Sequence, residues 1–469
     1  MPTDGGGCLS EPLFEFAFSD MLWKAMTPED REEITRLHNI MYPQLPMRED
    51  IAAIHEHAGM GGTSHGFRSI GVPTAMGVDA WDPVNVVRRP NEERTMSVWL
   101  GTEQGQAHPD DQVEIYADAL GGRRGHFGAS PPCQKLTSAG TGGLTAEERA
   151  ERALEGIPPV LNSLYTAQQM QKHPDIDLNS WHIEQAKEAV KVLLDNQHLL
   201  FEGETALDRD FGKRVIAMLR GKGEMGTPKQ NPRMNAIDYG APSTRNRMII
   251  GEGWTKNPTH YDRTRRKNPV PGRLPSRSVL DVLPHLQRQW VENKERREAW
   301  LQGLLQAGRL SETGARILGD GPQISISGAI NPGKGNEGPI IHPLGIRAVG
   351  SSWDDSRGGR TKQPRSYSHT YPANRHTSGH THNPPAVMYD RQLEPEEWLA
   401  LQTFDPNYNI EPIRDLVHRT YTTGKPQKAL HTALGNVVVP TVGRSIGASA
   451  FNIPLPRVGS PQRLLTDFN

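Results

Sequence analysis

The sequence predicts an α/β protein: a doubly wound, mostly parallel sheet with a smaller, loop-rich domain set into it. Three observations predict this. Short apolar runs of strand length alternate with helical patterns through residues 51–254. The first run, IAAI at 51–54, leads into a glycine-rich turn, HAGMGGTSHGF at 57–67, and a second strand that ends in an acid, Asp79. The texture then changes after Trp254: residues 256–300 carry 11 Lys and Arg against 5 Asp and Glu, and residues 319–386 are mostly Gly, Ser, Pro, His and Asn.

Taken in order, residues 1–48 read as an N-terminal extension with one short helix over 27–42. Thr27 caps it and Pro28 occupies its first turn. Residues 49–255 form the principal domain. Within it 144–157 is helical with Thr145 as N-cap, 180–196 holds a strand start and a helix, 211–223 is an amphipathic helix closed by Gly, and 245–254 is a strand. Residues 256–390 form the basic insert, with a long helix expected over 286–305 and Trp290, Trp300 and Leu304 near one face. Residues 391–469 return to the principal domain through a helix over 395–404 and a turn, strand and helix over 433–451. No internal repeat is present.

The formal net charge of −1 says nothing by itself about a nucleic-acid partner, so local charge must carry that argument. The two cysteines, Cys8 and Cys133, cannot build a disulfide framework or a cysteine zinc site. The N-terminus lacks a basic and apolar leader, and no apolar run is long enough to span a bilayer. A soluble, cytoplasmic protein without membrane contact is expected.

Four stretches carry chemistry. Glycines between a strand and a helix let the backbone approach a bound cofactor, and Asp79, 20 residues past Gly59, is placed to hold ribose hydroxyls. The spacing is not G-x-G-x-x-G, so a dinucleotide is not indicated. Cys133 sits in SPPCQKLTSAG without the apolar neighbours a structural cysteine takes, and Pro131 and Pro132 preset its direction. Glu184 falls at the carboxyl end of a strand, where open α/β sheets bind ligands. Arg245 and Arg247 lead into a strand and are expected on opposite faces, one reaching a site and one bracing the sheet. Read singly, each has a plainer alternative: a common turn, an incidental thiol, a solvated acid, an exposed strand edge.

Read together, the order of these pieces resembles the C5-cytosine-specific DNA methyltransferases of bacterial and phage type. The glycine turn, SPPCQKLTSAG, the Glu184 strand, YGAPSTRNRMIIG, PEEWLALQTFDPNY and LGNVVVP occur in the family's order, over roughly residues 50–255 and 390–451. The resemblance implies a Rossmann-like fold using S-adenosyl-L-methionine. It places His57, Gly59, Gly61, Asp79, Trp81, Asp118, Pro131, Asn436 and Val438 around that cofactor, with Asp118 facing the adenine. It implies Cys133 as the nucleophile toward cytosine C6, Glu184 as the hydrogen-bonding partner of N3 and the exocyclic amine, Arg247 as the contact to O2, and Arg245 as its scaffold. The partner would be double-stranded DNA with the target base flipped out, met by Gln134 and Thr137 in a mobile loop and by Arg265, Arg266 and Lys267 in a target-recognition domain at 256–390. A monomer is expected.

The sequence departs from the family at four places. His57 stands where Phe is usual, Ile-Glu-Gln-Ala replaces Glu-Asn-Val, Ser243 takes the place of Gln before Arg245, and Ala433 takes that of Gln before the Gly-Asn pair. Two alternatives use the same features: an RNA cytosine-5 methyltransferase, and a DNA-binding relative without catalysis. The four histidines at 369, 376, 380 and 382 match no standard metal spacing, and no metal is expected.

Overall fold

In a computed structural model of the chain, the structure describes residues 26–91, 94–103, 105–136, 145–222, 231–242, 245–261, 268–277, 279–292, 395–412 and 437–456, with short helical pieces up to residue 306 and three short strands at 323–325, 370–372 and 386–387.

Strand β1 (Ile51–Glu56) is buried along its whole length. Such a strand needs cover on both faces, which is how parallel sheets with flanking helices are built. After it come α2 (Gly62–Arg68), β2 (Thr74–Asp79), α3 (Asp82–Arg88), β3 (Thr95–Ser97), α4 (Pro109–Leu120) and β4 (Arg124–Ala129). Then follow α5 (Ala146–Leu154), α6 (Pro158–Lys172), β5 (Leu178–Ala186), α7 (Ala189–Asp195), α8 (Arg209–Arg220), β6 (Arg233–Asn235) and β7 (Asn246–Glu252). The seven strands form one sheet in the order β3-β2-β1-β4-β5-β7-β6. β1 pairs in parallel with β2 and β4, as do β2 with β3 and β4 with β5, whereas β7 runs antiparallel to both β5 and β6. This is a doubly wound, Rossmann-like sheet. Its strand order reverses between β1 and β4, opening a crevice at the carboxyl edge.

The two faces carry different layers. On one, Ile54, Val78, Phe127 and Ile183 pack against Tyr116 and Leu120 of α4, Leu164 of α6 and Val215 of α8. On the other, Ile51 and Ala53 pack against Phe67 of α2 and against Val442 and Ile446 of α12 (Pro440–Ala450). The chain thus returns, some 375 residues later, to cover the first strand. Close approach makes this possible: a Cβ on Gly62 would lie 1.9 Å from the Val438 carbonyl oxygen.

The expected caps are present. Thr27 accepts from the Asp30 amide while Asp30 accepts from the Thr27 amide, and Thr145 and Glu148 repeat the pattern at α5. Helix α1 (Pro28–Met41) packs on two later segments of the chain. Its Ile34, Leu37 and Met41 share a buried cluster with Val282, Leu283 and Leu286 of the segment after Trp254 and with Ala400 and Leu401 of α11 (Pro395–Leu401). After the short α9 (Val279–Val282), α10 (Pro284–Glu292) begins the helix expected over 286–305, and the described residues between 294 and 306 are helical as well. The Trp290, Trp300 and Leu304 side chains and the histidines at 369, 376, 380 and 382 lie outside the described residues. Among the described residues no helix is long and apolar enough to cross a membrane.

Candidate active site

Cys133 follows β4 by four residues, so it leaves the sheet at the carboxyl edge. The loop is pinned from below, since Gln185 Nε2 donates to the Pro131 carbonyl at 2.5 Å. Beyond the thiol the Leu136 amide returns to the Cys133 carbonyl at 3.0 Å, and Leu136 anchors in the core. The thiol is partly buried.

Glu184 and Arg247 meet beside it because β7 is antiparallel: Ala186 pairs with Arg247, which sets the start of β7 at the end of β5. Arg247 Nε lies 2.8 Å from Glu184 Oε1. Arg245, buried to 2% exposure, has its backbone fixed by the Asn235 side chain at 2.9 Å and by the Ala236 amide at 3.0 Å. The expectation that the two arginines point to opposite faces fails. Residues two apart along a strand share a side, and both guanidiniums act on Glu184 and Cys133.

The electrostatics follow from burial. Burial and then the Glu184 charge push the Cys133 thiol up, while Arg247 and Arg245 oppose them. Burial raises Glu184 against the same two arginines. Burial pulls Arg245 down to about 9, assisted by Arg247 and opposed by Glu184 and Cys133. A thiol, a carboxyl group able to hold a proton and two guanidiniums can together support nucleophilic addition to a polar heterocycle.

A second group lies on the same edge, beyond β1 and β2. Both oxygens of Asp79 accept backbone amides at 2.8 Å, from Gly59 and from Trp81. Gly59 has φ +53°, and nothing lies within 4 Å of where its Cβ would stand, so the turn leaves open room there. His57 also holds a positive φ, 48°, and burial pulls it to about 4 against the pull of the Asp79 charge. Trp81 packs beside Met60, Phe404, Tyr408 and Val437, and the Tyr408 hydroxyl donates to the Met60 carbonyl at 2.6 Å. Val438 reaches α2 at Gly62, one residue past Gly61.

Asp118 does not join this group. It is exposed on α4, two residues before the helix ends at Leu120. A helix between parallel strands runs back to the amino edge of the sheet, so its last turn lies far from the crevice. The segment between β3 and α4 stands at the carboxyl edge instead, where the Val98 amide donates to the Asp79 carbonyl at 3.3 Å. Asn436, Thr137, Arg265, Arg266, Lys267 and the Gln134 side chain lie outside the described residues.

The sequence reading missed Glu56. It ends β1, is 2% exposed, and accepts from the Tyr116 and Ser163 hydroxyls at 3.0 Å each. Burial pushes it up to about 7. The signal was available as an acid closing a strand that is otherwise nearly all apolar. A buried histidine row was missed as well. His126 contacts Ser180 at 2.6 Å and His182 at 2.8 Å, beside His55.

No family model and no curated protein matches this sequence. Among solved structures, one similar chain is a prophage-encoded Escherichia coli protein provisionally described as a DNA modification methyltransferase. It is 12% identical, the match covers 86% of this chain and 99% of that one, and the TM-score is 0.39.

Proposed function

We propose that the chain is a DNA (cytosine-5-)-methyltransferase. It would move a methyl group from S-adenosyl-L-methionine to C5 of a flipped-out cytosine in a short duplex motif. The observation that carries this reading is the convergence of Cys133, Glu184, Arg245 and Arg247 on the carboxyl edge that also holds Asp79.

The residues present suit the cofactor. Asp79 offers a carboxylate for ribose hydroxyls, the open space over Gly59 admits the ligand to the backbone, and His57 and Trp81 supply rings beside it, with Gly61 and Val438 behind. When bound, S-adenosyl-L-methionine supplies an electrophilic methyl group to C5. The chain's own groups prepare the base. The Cys133 thiolate forms an Sγ–C6 bond, which leaves electron density at C5. Glu184 holds N3 and the exocyclic amine, and Arg247 holds O2 with Arg245 behind it. After methylation the C5 proton passes to a base, the Sγ–C6 bond breaks and the thiolate is regenerated. Duplex DNA must give up its base to reach this thiol. Contacts from Gln134, Thr137, Arg265, Arg266 and Lys267, within a target-recognition domain at 256–390, belong to the same proposal.

The test is nanopore or bisulfite sequencing of plasmid DNA from cells expressing wild type and Cys133→Ala. Modified cytosines at one motif, absent in the variant, are expected. Unmodified DNA from folded wild type overturns the proposal, and labelled methyl on RNA instead would redirect it to an RNA substrate.

A further inference from the structure

Residues 26–48 precede the stretch that resembles the methyltransferases, and the proposed chemistry uses none of them. Their contacts nonetheless lead to the active site. Tyr42 follows α1 and is buried, and its hydroxyl donates to the Gly240 carbonyl at 3.0 Å. Arg277, from the segment after Trp254, is also buried. It donates to the same Gly240 carbonyl at 3.3 Å and to the Met41 carbonyl at 3.4 Å, and its guanidinium carbon lies 4.5 Å from the centre of the Tyr42 ring. One carbonyl oxygen thus takes donors from two distant segments, which its two lone pairs allow, and a cation on a ring face adds attraction between those segments. Arg288 tightens the arrangement by pairing with Asp30 and Glu33 of α1.

Gly240 closes the short turn Ala236–Tyr239, whose first residue bonds the Arg245 backbone. The Ala241 amide donates to the Ala236 carbonyl at 3.2 Å, and the Ala236 amide donates to the Arg245 carbonyl at 3.0 Å. Arg245 and Arg247 then act on Glu184 and Cys133. From Tyr42 to the Arg245 backbone the path is a run of hydrogen bonds joined through the chain, and from there the two guanidiniums reach the thiol through their charge. An apolar pair would fill the Tyr42 and Arg277 positions at less desolvation cost, so their polar geometry needs a reason beyond packing.

We propose that Tyr42 and Arg277 are positioning residues that hold the Gly240 turn and so set Arg245 and Arg247 against Glu184 and Cys133. The N-terminal segment and the segment after Trp254 are thereby coupled to the reacting thiol. This rests on reading Cys133 as the nucleophile.

The test follows iodoacetamide alkylation against pH in the full chain carrying Cys8→Ser, which leaves Cys133 as its sole thiol. Arg277→Met and Tyr42→Phe are each compared with Ile34→Val, which loosens the α1 cluster without touching Gly240. The expected result is a thiol midpoint raised by about half a unit in Arg277→Met, or about threefold slower alkylation at neutral pH, with a smaller rise in Tyr42→Phe. Ile34→Val should lower the melting temperature and leave the midpoint in place. A midpoint that stays or falls in Arg277→Met overturns the proposal, as does an equal rise in Ile34→Val. Methyl transfer by the wild type is measured separately, so a chain that fails to methylate DNA still gives a reading on the thiol.

Discussion

Arg247 Nε and Glu184 Oε1 stand 2.8 Å apart, with the two side chains only 12% and 7% exposed. Beside this pair, burial and the Glu184 charge push the Cys133 thiol up, and Arg247 and then Arg245 oppose them. Glu184→Gln removes the group that, after burial, most raises the thiol. Alkylation of Cys133 at pH 7 should become about threefold faster or more. Methyl transfer to DNA should fall by about a hundredfold or more, since the variant cannot hold the proton and charge on the base. The two rates moving in opposite directions is the diagnostic outcome, and parallel loss of both would count against the assigned role.

Asp79 supports both the turn and the ligand. Its oxygens already accept the Gly59 and Trp81 amides, and a carboxylate has lone pairs left for hydroxyl donors. Asp79→Ala should weaken S-adenosyl-L-methionine binding by about tenfold or more, measured by calorimetry, because charged hydrogen bonds are worth about 1.5–3 kcal/mol. Unchanged affinity would remove Asp79 from the cofactor site.

Glu56 should make stability depend on pH. Its folded pKa, about 7, is raised from an ordinary carboxylate value of 4.5 by burial. The folded state therefore holds the proton more tightly than the unfolded state. The stabilisation is complete below the unfolded value and is lost as pH rises through the folded one. Glu56→Gln removes this dependence. Between pH 5 and pH 8 the wild type should lose up to about 3 kcal/mol relative to the variant in urea unfolding.

Gly62→Ala tests the close packing of α2 on the C-terminal segment. Its Cβ would meet the Val438 carbonyl oxygen at 1.9 Å, and backbone cannot give way cheaply. A loss of about 1–3 kcal/mol or more is expected, with a lower Tm by calorimetry.

Particular residues show why some features could be read from sequence and others could not. Thr27 and Thr145 announced their helices because capping is local chemistry. Cys133 stood out through the proline-braced polar stretch around it, and Glu184 and Arg247 through motif order. Asp118 was misplaced because a residue's distance from a crevice depends on which way its helix runs, and spacing does not record that. Arg245 and Arg247 stand two residues apart, and positions two apart in extended backbone share a side, so both serve one site. Glu56 and the histidines escaped because a polar residue inside an apolar strand reads as an exception until its partners, Tyr116 and Ser163 or His126 and Ser180, arrive from distant segments.

The packing of α12 on α2 also has a consequence during synthesis. Arg444 of α12 bonds Ser69 across 375 residues of chain. A ribosome adding about 5–20 residues per second needs ~20–75 s to cover that span. Throughout that interval Ile51, Ala53 and Phe67 of the nascent chain lack the helix that covers them, and chaperones have apolar surface to bind.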